Sequence, residues 1–216
     1  MSVNNLKNKR ILITCGPTWV PIDDMRVISN KSTGTLGHIL AGALDKKNAQ
    51  VTLLEGPVTR VLKTKNVIVK KFHFYDDFIT LFKKELKHKY DIVIHAAAVS
   101  DYKLKTEHTK KISSKVDKLT LNLVPTEKVI YKIKEINPNA LLVGFKLESE
   151  MNKTVALERT QNLFEKAKCD FVIANSSTDK TYKAYLIDNN KNFIALEKTR
   201  QDIITKLIES LNTHVQ

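Results

Sequence analysis

Residues 16–37 read GPTWVPIDDMRVISNKSTGTLG and separate an apolar run, Ile11-Leu12-Ile13, from an amphipathic segment. That segment carries Leu36, Ile39, Leu40, Ala43 and Leu44 at helical spacing, so the order is strand, long loop, helix. A first connection of this type usually takes about 2–6 residues, and one several times longer inside a compact domain is functional. Its last stretch, Ser32 to Gly37, is rich in Ser, Thr and Gly and abuts the predicted helix start. Free N–H groups and the helix dipole favour an anion there, so the loop predicts phosphate binding.

Working outward, apolar runs at Val51–Leu54, Val67–Val69 with Phe72, and Asp91–Ile94 read as strands. Asp76–Lys89 places Phe78, Leu81, Phe82 and Leu86 on one helical face. Strands alternating with helices at this interval predict a doubly wound parallel sheet. Tyr102–Lys118 is polar and lysine-rich and predicts a flap; Leu119–Leu123 alternates like a half-exposed strand. A helix over Glu127–Ile136, a strand at Leu141–Phe145, a helix over Val155–Ala167 and a strand at Phe171–Ala174 follow. Tyr182–Ile187 and Phe193–Leu196 flank Asp188-Asn189-Asn190-Lys191-Asn192, which has hairpin turn chemistry. Thr199 caps a last helix with Ile203, Ile204, Leu207, Ile208 and Leu211 on its apolar face. The expected fold class is α/β: one domain over 1–216, a doubly wound, mostly parallel Rossmann-like sheet with a flap and a C-terminal β-hairpin and helix.

Composition narrows the function. The chain has 42% hydrophobic and 27% charged residues, as soluble globular proteins do. No apolar run reaches the roughly 20 residues of a membrane helix. The polar start, MSVNNLKNKR, reads as no secretory signal, and two cysteines, Cys15 and Cys169, make no disulfide framework. A cytoplasmic setting without membrane partners is expected. A net charge of +13 invites nucleic acid. Yet the lysines are dispersed and no basic segment is interleaved with aromatics, so solvated surface is the better reading and no nucleic-acid partner is expected. A basic pocket for small anions is compatible with that reading.

Ser32–Gly37 resembles the glycine-rich turn of a dinucleotide-binding oxidoreductase, and Glu55 stands where such a protein would hold a ribose hydroxyl. The spacing opposes it, because about twenty residues part the glycines from the strand that should precede them directly. The six histidines show no HExxH and no cysteine cluster accompanies them, so no metal site is expected. His95 at a strand end reads as a satisfied core histidine, and neither cysteine as an activated thiolate. A non-catalytic nucleotide- or RNA-binding module is the rival from another class.

The opening loop, HAAAVSDY at 95–102, VGFKLE at 143–148 and DFVIAN at 170–175 resemble, in order and spacing, phosphopantothenate–cysteine ligase in a stand-alone form. The resemblance covers nearly the whole chain. It implies joining 4′-phosphopantothenate to L-cysteine in coenzyme A synthesis, through an acyl-nucleotide made with CTP or ATP and Mg2+. It also implies a homodimer and a separate decarboxylase for the next step. Carried over by position, Asn30 stands at the acyl centre and Lys111 of the flap reaches the phosphates, both as catalytic residues. Ala97, Asp101, Lys111 and Phe145 match nucleotide-binding positions. Arg26, Asn30, Ser32, Thr33, Gly34, Gly37 and Ala97 match those that hold phosphopantothenate. The chain departs from the family at Trp19-Val20, where Arg-Glu is common, and at Ser113-Ser114, where lysines are. It departs again at Ala167, a lysine in CTP users, and at Lys146-Leu147, where many have Ala-Ala.

Overall fold

The computed structural model describes residues 4–59, 62, 64, 66–106, 108–115, 117–178 and 181–215. β1 (Arg10–Cys15) enters a loop holding two short strands, β2 (Trp19–Pro21) and β3 (Val27–Ser29), before α1 (Thr35–Asp45). β4 (Gln50–Glu55), β5 (Ile68–Lys71), α2 (Tyr75–Leu86) and β6 (Ile92–His95) follow. β7 (Tyr102–Leu104) and β8 (Leu123–Pro125) bracket the flap, and a 3-10 turn (Val129–Lys132) runs into α3 (Ile133–Ile136). β9 (Leu141–Glu148), α4 (Lys153–Glu165), β10 (Phe171–Ser177), β11 (Tyr182–Asp188), β12 (Phe193–Glu197) and α5 (Arg200–His214) complete the order.

Eight strands form one sheet in the order β12-β11-β10-β9-β6-β1-β4-β5. The six from β10 to β5 are parallel, and β11 and β12 are added antiparallel. After β1 the chain lays β4 and β5 on one side, then returns to place β6 on the other. The connections leaving β1 and β6 therefore diverge, and open α/β sheets bind ligands in the crevice so created.

Side chains alternate across the sheet, as the twofold strand period requires. Ile11 and Ile13 join Leu40, Leu44, Ile204 and Leu207 under α1 and α5. Leu12 faces the other way, toward Phe78, Phe82, Val93, Leu142 and Val172. Each such side chain, fully buried, contributes about 1.5–3 kcal/mol of transfer free energy. Thr199 caps α5 as expected, its hydroxyl accepting from Asp202 N–H at 3.1 Å. The Asp188–Asn192 turn closes through Asp188 N–H to Asn192 O at 3.1 Å.

Three local expectations are corrected. The opening connection is not plain loop but carries the β2–β3 hairpin. Trp19 anchors that hairpin to the segment after β5 by donating its backbone N–H to His73 O at 2.8 Å and packing its ring on His73 and Phe74. Strand structure at 119–123 begins only at Leu123, because β8 takes its register from β7, not from its own alternation. The helix over 127–136 is a 3-10 turn with one α-turn, short because Pro125 and Pro138 bracket it. Glu55 is buried and bonded to His38, in keeping with the spacing argument against a ribose-holding role.

Gly37 sets how closely α1 approaches β1. A Cβ there would lie 2.2 Å from Cys15 Cβ, whereas one on Gly42, in the same helix, meets only Thr64 Cγ2 at 3.7 Å. Gly37→Ala is therefore expected to lower unfolding free energy by about 1–3 kcal/mol through overpacking. Gly42→Ala is expected to leave it unchanged or raise it by about 0.5–1 kcal/mol through helix propensity. Urea titration of the two variants tests the contrast; equal destabilisation would remove the close-approach account.

Candidate functional site

The crevice is built by backbone pairing beyond the ends of β1 and β6. Ala96 N–H donates to Thr14 O at 3.1 Å, Ala97 N–H to Thr14 Oγ1 at 3.2 Å and Ala98 N–H to Gly16 O at 2.9 Å. Ser100 N–H is taken by Thr18 Oγ1 at 2.9 Å. The run Ala96-Ala97-Ala98 thus lies against the start of the opening loop, and its small side chains let another segment cross it. Asn30 does so: its Nδ2 donates to Ala98 O and Val99 O, both at 3.2 Å. Two carbonyl acceptors fix the orientation of the amide, because only the NH2 end can donate. Both donors are thus engaged in this conformation, and Oδ1 is the end left for a ligand.

Beside Asn30, α1 starts with Gly34 at φ 67°, without a side-chain cap and without an acidic residue in its first turn. Thr35 N–H donates to Thr33 Oγ1 at a long 3.5 Å, and the rest of this positive helix end is open to an external anion. Ser32 is half-buried and Thr33 exposed, with Thr33 Oγ1 2.8 Å from Thr35 Oγ1.

The flap is held from below by one carboxylate. Asp23 Oδ1 accepts from the N–H groups of Met25 and Arg26 at 3.0 and 2.9 Å. Its Oδ2 accepts from Arg26 Nε at 3.0 Å and from Ile112 N–H at 3.0 Å. Arg26 Nη2 closes the ring by donating to Ile112 O at 3.0 Å. The Asp23 side chain is fully enclosed, and the Arg26 guanidinium, then the Ile112 N–H, hold its carboxyl far below the usual carboxylate range. Lys111, exposed, precedes the clamped Ile112. Arg26 thus stands at the flap with Nε and Nη2 committed. An open cavity of ≈ 400 Å³ lies beside the clamp, lined by Trp19, Asp24, Met25, Phe74 and His108 among others.

Asp101 is exposed in the connection after β6 and paired with Lys128 Nζ. Phe145 is half-buried on β9, packed against the α1–α5 side of the core, one strand beyond β6. Asn30, Ala97 and Asp101 are therefore gathered on the β6 connection. Gly34 and Gly37 sit at the neighbouring helix start, while Arg26 and Lys111 form a second group at the flap. Asn175, which the sequence reading did not single out, is buried on β10 two residues beyond Ile173, the register partner of Phe145. An amide at the end of an apolar strand was the available signal. Asp23 and Arg26 stand three residues apart, which suits a turn, but nothing local in the sequence points to the tether on Ile112.

His95 is a core residue. Its ring packs on Phe78 and Phe82, and its Nδ1 is 3.0 Å from Thr14 Oγ1. Burial pushes its pKa down to about 4. Thr14 Oγ1 thus joins the ring to the site, bonded to His95 Nδ1 on one side and accepting from Ala97 N–H on the other. Cys15 and Cys169 are buried, and desolvation raises both thiols to about 12, so neither is an activated nucleophile.

A doubly wound, mostly parallel sheet with its crevice beyond β1 and β6 defines a Rossmann-like α/β protein. Residues 6–211 match the family described as the DNA/pantothenate metabolism flavoprotein C-terminal domain, and the chain belongs to that family. Curated relatives include the coenzyme A biosynthesis bifunctional protein CoaBC of Thermococcus kodakarensis. It is 35% identical over 188 residues, 87% of this chain and 45% of that protein. The Escherichia coli K12 protein of the same name is 31% identical over 197 residues, again 87% of this chain and 46% of its own. The chain spans about half the length of these relatives. The crystal structure of the DNA/pantothenate metabolism flavoprotein from Streptococcus pneumoniae superposes with a TM-score of 0.85 at 25% identity, covering 95% of this chain and 99% of that one. A Cab2 variant in complex with phosphopantothenate-cysteine shares the fold, with a TM-score of 0.76 at 19% identity. It covers 96% of this chain and 87% of that one.

Neutral burial of His95 has a pH signature. Unfolded, the ring takes a proton near pH 6.5; folded, only near pH 4. The unfolded state binds more protons between these values, so stability is full above about pH 6.5 and falls by up to about 1.4 kcal/mol per pH unit down to about pH 4. Urea midpoints of wild type and His95→Gln across pH 7 to 4 measure this; the variant is expected to show the shallower slope.

Proposed function

We propose that the chain is a ligase joining 4′-phosphopantothenate to L-cysteine, giving 4′-phosphopantothenoylcysteine in coenzyme A synthesis. One observation carries the reading within this family: Asn30 bridges to the Ala98-Val99 carbonyls at the switch point, beside an uncompensated helix N-terminus. A phosphorylated acid that must also be activated at its carboxylate needs such a site, with an anion cradle and a polar acyl position side by side. The names of the relatives point to the same biosynthesis.

The chemistry has two displacements. The carboxylate attacks the α-phosphorus of a nucleoside triphosphate, forming the acyl-phosphate bond as pyrophosphate leaves. The cysteine amine then attacks the acyl carbon, the nucleoside monophosphate leaves with the electron pair of the broken bond, and the amine proton passes to solvent. Positioning and charge stabilisation supply most of the acceleration in such steps. The start of α1, with Ser32, Thr33, Gly34 and Gly37, binds the substrate phosphate. Asn30 Oδ1 accepts from the incoming amine; a swing of the amide would offer its NH2 to the acyl oxygen instead. Lys111, brought down by the Ile112 tether, meets the triphosphate. Ala97, Asp101 and Phe145 line the nucleotide position, with CTP as the proposed nucleotide and ATP as the alternative.

Mg2+ would accompany the triphosphate. Asp101 is the carboxylate on the β6 connection, and an ion that keeps most of its waters and draws its other ligands from phosphates needs no more. It would supply charge neutralisation on the phosphates. Exposed apolar side chains at Met25, Phe74 and Tyr102, around the β2–β3 hairpin and β7, support a homodimer. Among the described residues no helix is long and apolar enough to cross a membrane, and a cytoplasmic setting is part of the proposal.

Pyrophosphate release with 4′-phosphopantothenate, cysteine and either CTP or ATP tests the reading. Turnover is expected with at least one nucleotide; folded protein that releases none with either leaves a binding module without catalysis. Asn30→Asp places a carboxylate against two carbonyls and the acyl group, and is expected to lower kcat by about 10²-fold or more. Near-normal turnover would remove Asn30 from the mechanism. Lys111→Ala is expected to reduce kcat by at least about tenfold with an unchanged melting temperature, because the side chain is exposed. An unaltered rate would separate the flap lysine from the phosphates.

A further inference from the structure

Three buried side chains that the ligase chemistry leaves unused meet directly under the start of α1. Cys15 ends β1 and Glu55 ends β4, and the two are register partners in the parallel pair. Register partners share a face of the sheet, here the face covered by α1. His38, in the second turn of α1, reaches down so that Nε2 lies 2.6 Å from Glu55 Oε1. Gly37 and Gly34 roof the thiol: a Cβ on either would fall 3.1 or 3.5 Å from Cys15 Sγ. The sulfur, an imidazole nitrogen and a carboxylate oxygen lie within 4.8 Å of one another.

Two of these groups are left wanting by the protein alone. His38 Nδ1 is buried and has no hydrogen-bond partner among the described residues. Among the described residues, the Glu55 carboxylate, on a residue only 6% exposed, has the His38 ring as its one ion-pair partner. Buried polar groups are normally satisfied, and a buried carboxylate usually gathers several donors. A thiol, an imidazole and a carboxylate converging from three elements is, in chemical type, the donor set of zinc-class ions rather than of magnesium or calcium.

We propose that Cys15, His38 and Glu55 form a binding site for one zinc-class divalent transition-metal ion, tying β1, β4 and the first turns of α1 together. Binding forms bonds from the metal to sulfur, nitrogen and oxygen, and releases the thiol proton to solvent. With thiolate and carboxylate each −1 and the ion +2, the occupied site carries no net formal charge, which limits the cost of keeping it dry. The site is separate from any magnesium that comes with a nucleotide, in position and in donor chemistry. An ion there would stiffen the anion-ready helix end from beneath.

Metal-free full-length protein titrated with Co2+ alone provides the test. The expected result is a thiolate-to-cobalt charge-transfer band in the near ultraviolet that saturates at one ion per chain and is displaced by Zn2+. Cys169→Ser leaves Cys15 as the sole thiol, so the band must persist in that variant; it must vanish in Cys15→Ser. His38→Gln is expected to weaken cobalt binding by about tenfold or more. Absence of the band in the wild type overturns the proposal, as does its loss in folded Cys169→Ser. Because the Cys169→Ser measurement leaves Cys15 untouched, the outcome does not depend on Cys15→Ser folding. Pyrophosphate release is not the readout, so failure here leaves the ligase reading standing.

Discussion

The carboxylate of Asp23 is the constraint on which the upper half of the molecule depends. It closes the turn between β2 and β3 through Met25 and Arg26, and through Ile112 it fastens a segment 89 positions away in sequence. Exposed ion pairs are worth little because solvent competes for both partners. This one differs: the carboxylate is enclosed, and its donors include backbone N–H groups that would otherwise lack partners. Without it the flap would be a long lysine-rich excursion with nothing to define its height above the sheet. With it, one residue of the flap is pinned and its neighbours remain exposed.

The site itself follows from topology. Reversal of strand order at β1 leaves a gap, and two connections that would otherwise part are stitched across it by Thr14, Thr18 and Asn30. Alanines on the β6 side are needed because a larger side chain would occupy the path of the crossing loop. The family relationship fits this arrangement, since the match runs from residue 6 to residue 211 and so includes every element that lines the gap.

Most of the parallel sheet was legible because its strands are short apolar runs and its helices strongly periodic. Ile11-Leu12-Ile13 and Asp91–Ile94 could hardly be read otherwise. What escaped was structure fixed by partners distant in sequence. Trp19 and Val27 belong to a hairpin whose strands are three residues each, too short to show alternation. β8 begins at Leu123 because β7 sets its register, and nothing between Leu119 and Leu123 records that. At the site, the glycine-rich helix start announced itself through composition. The Asn30 bridge and the Asp23 clamp did not, because a polar residue in a loop looks the same whether it faces water or two carbonyls. The meeting of Cys15, His38 and Glu55 was equally hidden, since no local spacing motif joins residues brought together by strand register and a helix crossing.

The eight-stranded sheet is open, and among the described residues its outer strands, β5 and β12, each have one unpaired rim. Both expose apolar side chains, Ile68 and Val69 on one and Ile194 and Leu196 on the other. Such rims invite pairing with another molecule's rim. β5 is only four residues long and ends in Lys70-Lys71, while the register shift beside β12 bends the other rim. Lys70 is paired with the buried Glu85, so repulsion at Lys71, reinforced by a net charge of +13, guards one rim and geometry the other. The first guard weakens as salt shortens the reach of charge, to about 3 Å at 1 M, and the second does not. Self-association along the sheet direction should accordingly start from β5.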